Sequence, residues 1–166
     1  FKGGLGHVNI MTSIFFAGVS GSAVADAAAL SNTLVPAMRQ QGYSNRYAGA
    51  VTAASSVIGP IIPPSIILIF YGAWMQVSIG GLFAAGILPS LLLGLALLMA
   101  NGIFAHVQHH PGGRGTAVPP FFPSFVKSIP ALMLPTIILG GIVFGIATPT
   151  EAAGVAVAAA LAAGFI

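Results

Sequence analysis

The chain has 166 residues, of which 57% are hydrophobic and only 4% charged, with 22 Gly, 12 Pro and a net charge of +3. A water-facing domain carries about a quarter charged residues, so an ordinary soluble surface is excluded and the surrounding solvent is expected to be lipid. Cysteine is absent, which excludes disulfides and thiolate metal sites, and the two acids, with no nucleophile–His–acid set and no Gly-x4-Gly-Lys-Ser/Thr loop, leave no basis for an enzyme or an ATPase.

The cations Lys2, Arg39, Arg46, Arg114 and Lys127 fall between the apolar stretches and so report on topology. Val8 to Gly18 and Ala23 to Met38 are both apolar, but each is shorter than the roughly 20 residues a spanning helix needs. Ser20-Gly21-Ser22 separates them, and residues 1–38 are expected to form a re-entrant hairpin that returns Arg39 to the side of Lys2. The alternative is one long tilted helix from Val8 to Val35, which strands Lys2 alone and gives the polar break no purpose. Arg39 to Tyr47 reads as a surface turn.

Residues 47–74 are long enough to cross, but Gly59, Pro60, Pro63 and Pro64 cannot share an unbroken helix. This crossing is expected to break near mid-membrane, with Tyr71 and Trp74 at the far interface. Residues 77–105 cross back. Residues 106–127, rich in His and Pro, read as a cytoplasmic loop, in which His106, His109 and His110 are solvated rather than metal-binding. Residues 128–147 cross again, and 148–166 begin a further helix. There Thr148, Pro149 and Glu151 make a capping box at an interface. With the hairpin first, all the cations fall on one side. The fold expected is an all-α membrane protein, with a re-entrant hairpin and broken and continuous transmembrane helices, forming part of an inverted-repeat ion-transporter fold. The chain opens on Phe1 without an initiator Met or leader and ends within an apolar run, and it is expected to be an internal piece of a longer protein.

Two polar breaks therefore lie at similar depth. Half-helices ending at such breaks aim their dipole ends inward, and freed carbonyls and hydroxyls suit Na⁺. The plainer reading of Ser20 and Ser22 is as small packing residues. Asp26 lies one turn beyond Ser22, and an acid at that depth costs a few kcal/mol or more. It serves either as the helix-start anion, or by orienting the tip and meeting substrate or solvent. Ser31, Asn32 and Thr33 line a cavity or bond within the bundle. Thr52 and Ser56 share a helical face directed at the hairpin tip, with Ser55 beside them.

The stretches "GGLGHVNIMTSIFFAGVSGSAVADAAAL", "GAVTAASSVIGPIIPPSIILIFYG" and "ATPTEAAGVAV" resemble the large membrane subunit of tripartite ATP-independent periplasmic (TRAP) transporters. The resemblance covers nearly the whole chain, least in residues 105–127. It implies a sodium-driven carrier of the bacterial inner membrane that works by an elevator mechanism. Its partners are a small membrane subunit and a periplasmic binding protein, and its substrates are organic acids such as C4-dicarboxylates or sialic acids. It further implies a sodium site built from Ser20 and Ser22 with carbonyls around Gly59, Ile62 and Pro64. Asp26 is implied to lie near the substrate, and Ser55 and Ser56, from their place in the sequence before the second break, are expected beside it. A second hairpin and a second sodium site belong to the missing part. The rivals are a stand-alone ion-coupled carrier and a non-transporting scaffold subunit.

Overall fold

A computed structural model describes residues 3–108 and 121–164, and every described element is helical. In chain order these are α1 (Gly4–Ser20), α2 (Ala23–Gln40), α3 (Asn45–Ser56), α4 (Ile66–Met75), α5 (Ile79–Val107), α6 (Phe121–Val143) and α7 (Pro149–Gly164).

Serine sets four of the helix starts. Ser22, Ser44, Ser65 and Ser78 are extended, and their side chains accept from the amides of Ala25, Tyr47, Leu68 and Gly81. Each cap satisfies one of the first-turn N–H groups that a helix leaves unbonded, a need that sharpens where water is scarce. α1 stops because Gly21 turns left-handed, with φ 58° and ψ 18°. That geometry rules out a single helix from Val8 to Val35. The chain reverses over Gly21 and Ser22, and α2 packs back along α1. At the base of the pair, buried Met38, Tyr43 and Ala48 gather Leu5 of α1 and Val35 of α2 around them.

α3 lies against both α1 and α2 and ends at Ser56. Residues 57–65 are non-helical, and α4 starts at Ile66. α5 is apolar on every side. At about 1.5 Å per residue its 29 residues exceed the roughly 30 Å of a hydrocarbon core. Among the described residues it is the one helix long and apolar enough to cross a membrane. Leu88, Leu92 and Met99 stand exposed along it. A second cluster, of buried Phe83, Ile142 and Ala152, joins α5 to α6 and α7.

The structure corrects the expected 106–127 loop. His106 lies in the last turn of α5, and residues 121–127 already belong to α6. Proline content misled here because Pro123 falls in the first turn of α6, where the missing N–H has no helical partner to lose. His109, His110 and Arg114 lie outside the described residues. α6 correspondingly ends at Val143, ahead of the expected limit at 147, and Gly145 turns left-handed at φ 69° just after it. The capping box at the head of α7 is complete. Glu151 accepts from the Thr148 amide at 2.8 Å and from the Thr148 hydroxyl at 2.7 Å, and the Glu151 amide donates to Thr148 Oγ1 at 3.3 Å.

Candidate functional site

The two breaks in the chain meet. Gly21, at the hairpin turn, is buried against the residues that lead into α4. A Cβ on Gly21 would lie 2.8 Å from the Pro64 carbonyl oxygen and 3.0 Å from the Ile66 nitrogen. Glycine is required there twice over, by the left-handed backbone and by this approach. The second break is held in shape from within: Ser65 Oγ donates to the Pro60 carbonyl at 2.6 Å while capping α4 through the Leu68 amide at 3.3 Å. The N-termini of α2 and α4 thus converge, together with the C-terminal ends of α1 and α3. Positive dipole ends and outward carbonyls sit side by side.

Gly59 closes the arrangement. A Cβ there would lie 2.8 Å from Asp26 Oδ2, 3.2 Å from the Ser22 carbonyl carbon and 3.2 Å from the Ser56 carbonyl oxygen. Asp26 is fully buried in the first turn of α2. Its Oδ1 accepts from Ser20 Oγ. Its Oδ2 is buried and has no hydrogen-bond partner. The Ser22 amide donates to Ser20 Oγ at 3.3 Å, so Ser20 links the end of α1 to the start of α2.

Ser20, Ser22, Asp26, Ser56 and Gly59 therefore come together, with Pro64 presenting its carbonyl to Gly21. Ile62 is half-buried in the same linker, its amide donating to the Ile58 carbonyl at 2.9 Å. Ser55 is placed elsewhere. It is fully buried between α1 and α3, where Ser13 Oγ donates to it at 2.7 Å and it donates to Asn9 Oδ1 at 3.2 Å. Thr52 faces the same way, accepting from Asn9 Nδ2 at 2.8 Å. The stripe of α3 expected to look onto the tip thus divides, Thr52 and Ser55 turning to α1 and Ser56 to Gly59. Ser31, Asn32 and Thr33 are exposed on α2, with Thr33 Oγ1 donating to the Ala29 carbonyl at 2.9 Å.

Asn9 and Ser13 were not foreseen from the sequence. Their four-residue spacing in an otherwise apolar helix was the available signal, since it places both on one face. Fully buried polar groups of this kind hold one register of α1 against α3. Asn9→Ala is expected to leave Thr52 and Ser55 short of partners and to destabilise by about 1–3 kcal/mol. The check is the thermal unfolding midpoint of the full-length protein in detergent. At the opposite end of α1 from the tip, Asn101 of α5 accepts from the Tyr47 hydroxyl and lies 2.7 Å from His7 Nδ1, tying α1, α3 and α5 together.

The family described as "Tripartite ATP-independent periplasmic transporter, DctM component" matches residues 1–166. The chain belongs to the DctM family. The members it resembles include a sialic acid TRAP transporter permease protein of Haemophilus influenzae, 44% identical over 158 residues, or 95% of this chain and 26% of that protein. A sialic acid TRAP transporter large permease protein of Vibrio cholerae is 43% identical over 153 residues, 92% of this chain and 36% of that protein. A C4-dicarboxylate TRAP transporter large permease protein of Pseudomonas aeruginosa is 37% identical over 155 residues, 93% of this chain and 36% of that protein. This DctM chain thus spans about a quarter to a little over a third of the length of these relatives. The family is one of transporter components, not of enzymes.

Proposed function

We propose that this chain is the part of a TRAP large permease that holds one coupling sodium ion, within a carrier that imports organic acids across the bacterial inner membrane. The observation that carries the reading is the meeting of two helix breaks over a buried Asp26 whose Oδ2 lacks a hydrogen-bond partner. A buried carboxylate oxygen without a donor costs several kcal/mol, and a cation is the natural compensation.

The donor set fits sodium. Hydroxyls of Ser20 and Ser22 and carbonyls of the Gly59–Pro64 segment are hard oxygen ligands that would hold it. The bound ion would supply positive charge to the hairpin tip. This chain's own part is to bring the two breaks together, to fix Ser20 through Asp26, and to exclude any side chain at Gly21 and Gly59. In this reading α1 and α2 form a re-entrant hairpin, α3 and α4 a broken crossing, and α5 a full span. Together they make half of an inverted repeat whose mobile part moves as an elevator. Asp26 and Ser56 stand beside the substrate path, with Ser55 as support behind them. A small membrane subunit and a periplasmic binding protein complete the transporter, and the relatives' names favour sialic acid, C4-dicarboxylates or similar carboxylates as cargo.

The test is uptake of labelled sialic acid and of a labelled dicarboxylate into proteoliposomes holding the full-length permease and its small subunit. Uptake that needs both an inward sodium gradient and the binding protein is the expected result. Uptake with sodium alone would point to a stand-alone carrier. No sodium-dependent rise in thermal stability would reduce the breaks to packing devices. Ser22→Ala is expected to lower sodium affinity about tenfold, the scale of losing one charge-assisted oxygen contact, read as the sodium concentration at half-maximal uptake. Loss of the α2 cap in the same variant costs about 1 kcal/mol, which the melting temperature without sodium reports separately.

A further inference from the structure

A trough of about 470 Å³ lies between α3 and α5, on the opposite side of α3's polar stripe from the ion site. The two helices run antiparallel here, since Tyr47 near the start of α3 bonds Asn101 near the end of α5 while Ile58, just past the end of α3, lies against Gly94 nearer its start. On α3, Arg46, Ala50 and Ala54 recur every four residues and share one face. Leu97 and Phe104 of α5 form the facing wall. Ser44, Arg46 and Gln108 make one end of the trough polar, and the polar pair Tyr47 and Asn101, bonded to each other, lies further along. Arg46 and Gln108 stand at its mouth, about 12 Å from Ala54 at a helical rise of 1.5 Å, and beyond Tyr47 and Asn101 its deep end, walled by Ile10, Val51, Ala54 and Leu97, is apolar.

Arg46 is exposed, and neither acid of the chain pairs with it, because Asp26 bonds Ser20 and Glu151 bonds Thr148. Its end of the bundle also receives the start of α1, as Gly3 abuts Ala105, and the last turn of α2, which carries Arg39. This is the cation-rich side, where an anionic headgroup is favoured. A water-soluble organic acid does not match the trough, since its deep end offers no donor.

We propose that this trough binds an anionic phospholipid, one acyl chain lying between α3 and α5 and the headgroup phosphate meeting Arg46 at the mouth. The inference rests on the membrane reading but on neither sodium nor transport.

The test uses the full-length permease with its small subunit, delipidated in detergent and exposed to phosphatidylglycerol or phosphatidylcholine carrying a diazirine in the acyl chain. Labelled peptides are then mapped. Labelling of segments 46–54 and 97–108 is expected, with a preference for phosphatidylglycerol of about fivefold, the size of one basic side chain acting on an anionic headgroup. Arg46→Gln should remove that preference, and Ala54→Phe should fill the trough and abolish labelling by both lipids. Arg46 is exposed, so its variant is expected to fold even where the bulky one does not. Equal labelling by the two lipids, or labelling indifferent to Arg46→Gln, would overturn the proposal while leaving the membrane reading intact. No labelling of any segment by either lipid would overturn both.

Discussion

Gly59→Ala is expected to weaken sodium-dependent uptake by the full-length permease, raising the sodium concentration at half-maximal uptake several-fold, while leaving it folded. Gly59 does not have a left-handed backbone, so conformational strain is not the issue; space is. The added methyl would lie 2.8 Å from Asp26 Oδ2, inside van der Waals contact, and 3.2 Å from both Ser22 and Ser56 backbone atoms. Asp26 cannot simply swing aside, because its other oxygen holds Ser20. The tip must separate from the linker instead. Overpacking of this kind costs about 1–3 kcal/mol, and here it falls between the two segments proposed to share the ion. A fall in sodium affinity of about two- to twelvefold follows if half of that cost is paid on binding. Gly49→Ala is the control. Gly49 is exposed within α3 with nothing within 4 Å of its would-be Cβ, so the substitution should preserve uptake and stabilise α3 by up to about 1 kcal/mol. Normal uptake by Gly59→Ala would remove the meeting of the two breaks from the mechanism.

The breaks themselves were legible because their residue types act locally. Ser-Gly-Ser stops one helix and caps the next, and clustered prolines deny backbone donors to any helix across residues 57–65. What was not legible is which distant atoms those breaks face. The resemblance implied Gly59 as a carbonyl ligand, yet its missing side chain is what admits Asp26, a contact across 33 positions (59 − 26) that no local pattern reports. Ser55 and Ser56 are neighbours in sequence, and helical geometry sends one to α1 and the other to the site. Asn9 and Ser13 pass unnoticed in an apolar helix because a buried polar pair is revealed only by its partners, here Thr52 and Ser55. The 106–127 segment erred for the opposite reason. Its prolines were weighed by number, when position decides whether a proline ends a helix or begins one.

Asp26→Asn separates the two roles that the acid can play, because they predict opposite signs. The amide keeps the shape and can still accept from Ser20, but it carries no charge. If the carboxylate is there to balance a cation, the sodium-free protein holds a buried charge that is short of partners. Removing that charge should stabilise the sodium-free state by about 1–3 kcal/mol. Sodium should then cease to raise the melting temperature, since stabilisation by a ligand follows its affinity for the folded state. Losing the carboxylate from a buried ion pair costs about 3 kcal/mol, or about a hundredfold in sodium affinity. If Asp26 only complements the dipole at the start of α2, Asn should destabilise by about 0.3–1 kcal/mol and leave the sodium response unchanged. Melting curves of the parent and variant with and without sodium decide between them. A variant that melts higher without sodium and is indifferent to it identifies Asp26 as the charge that the ion satisfies.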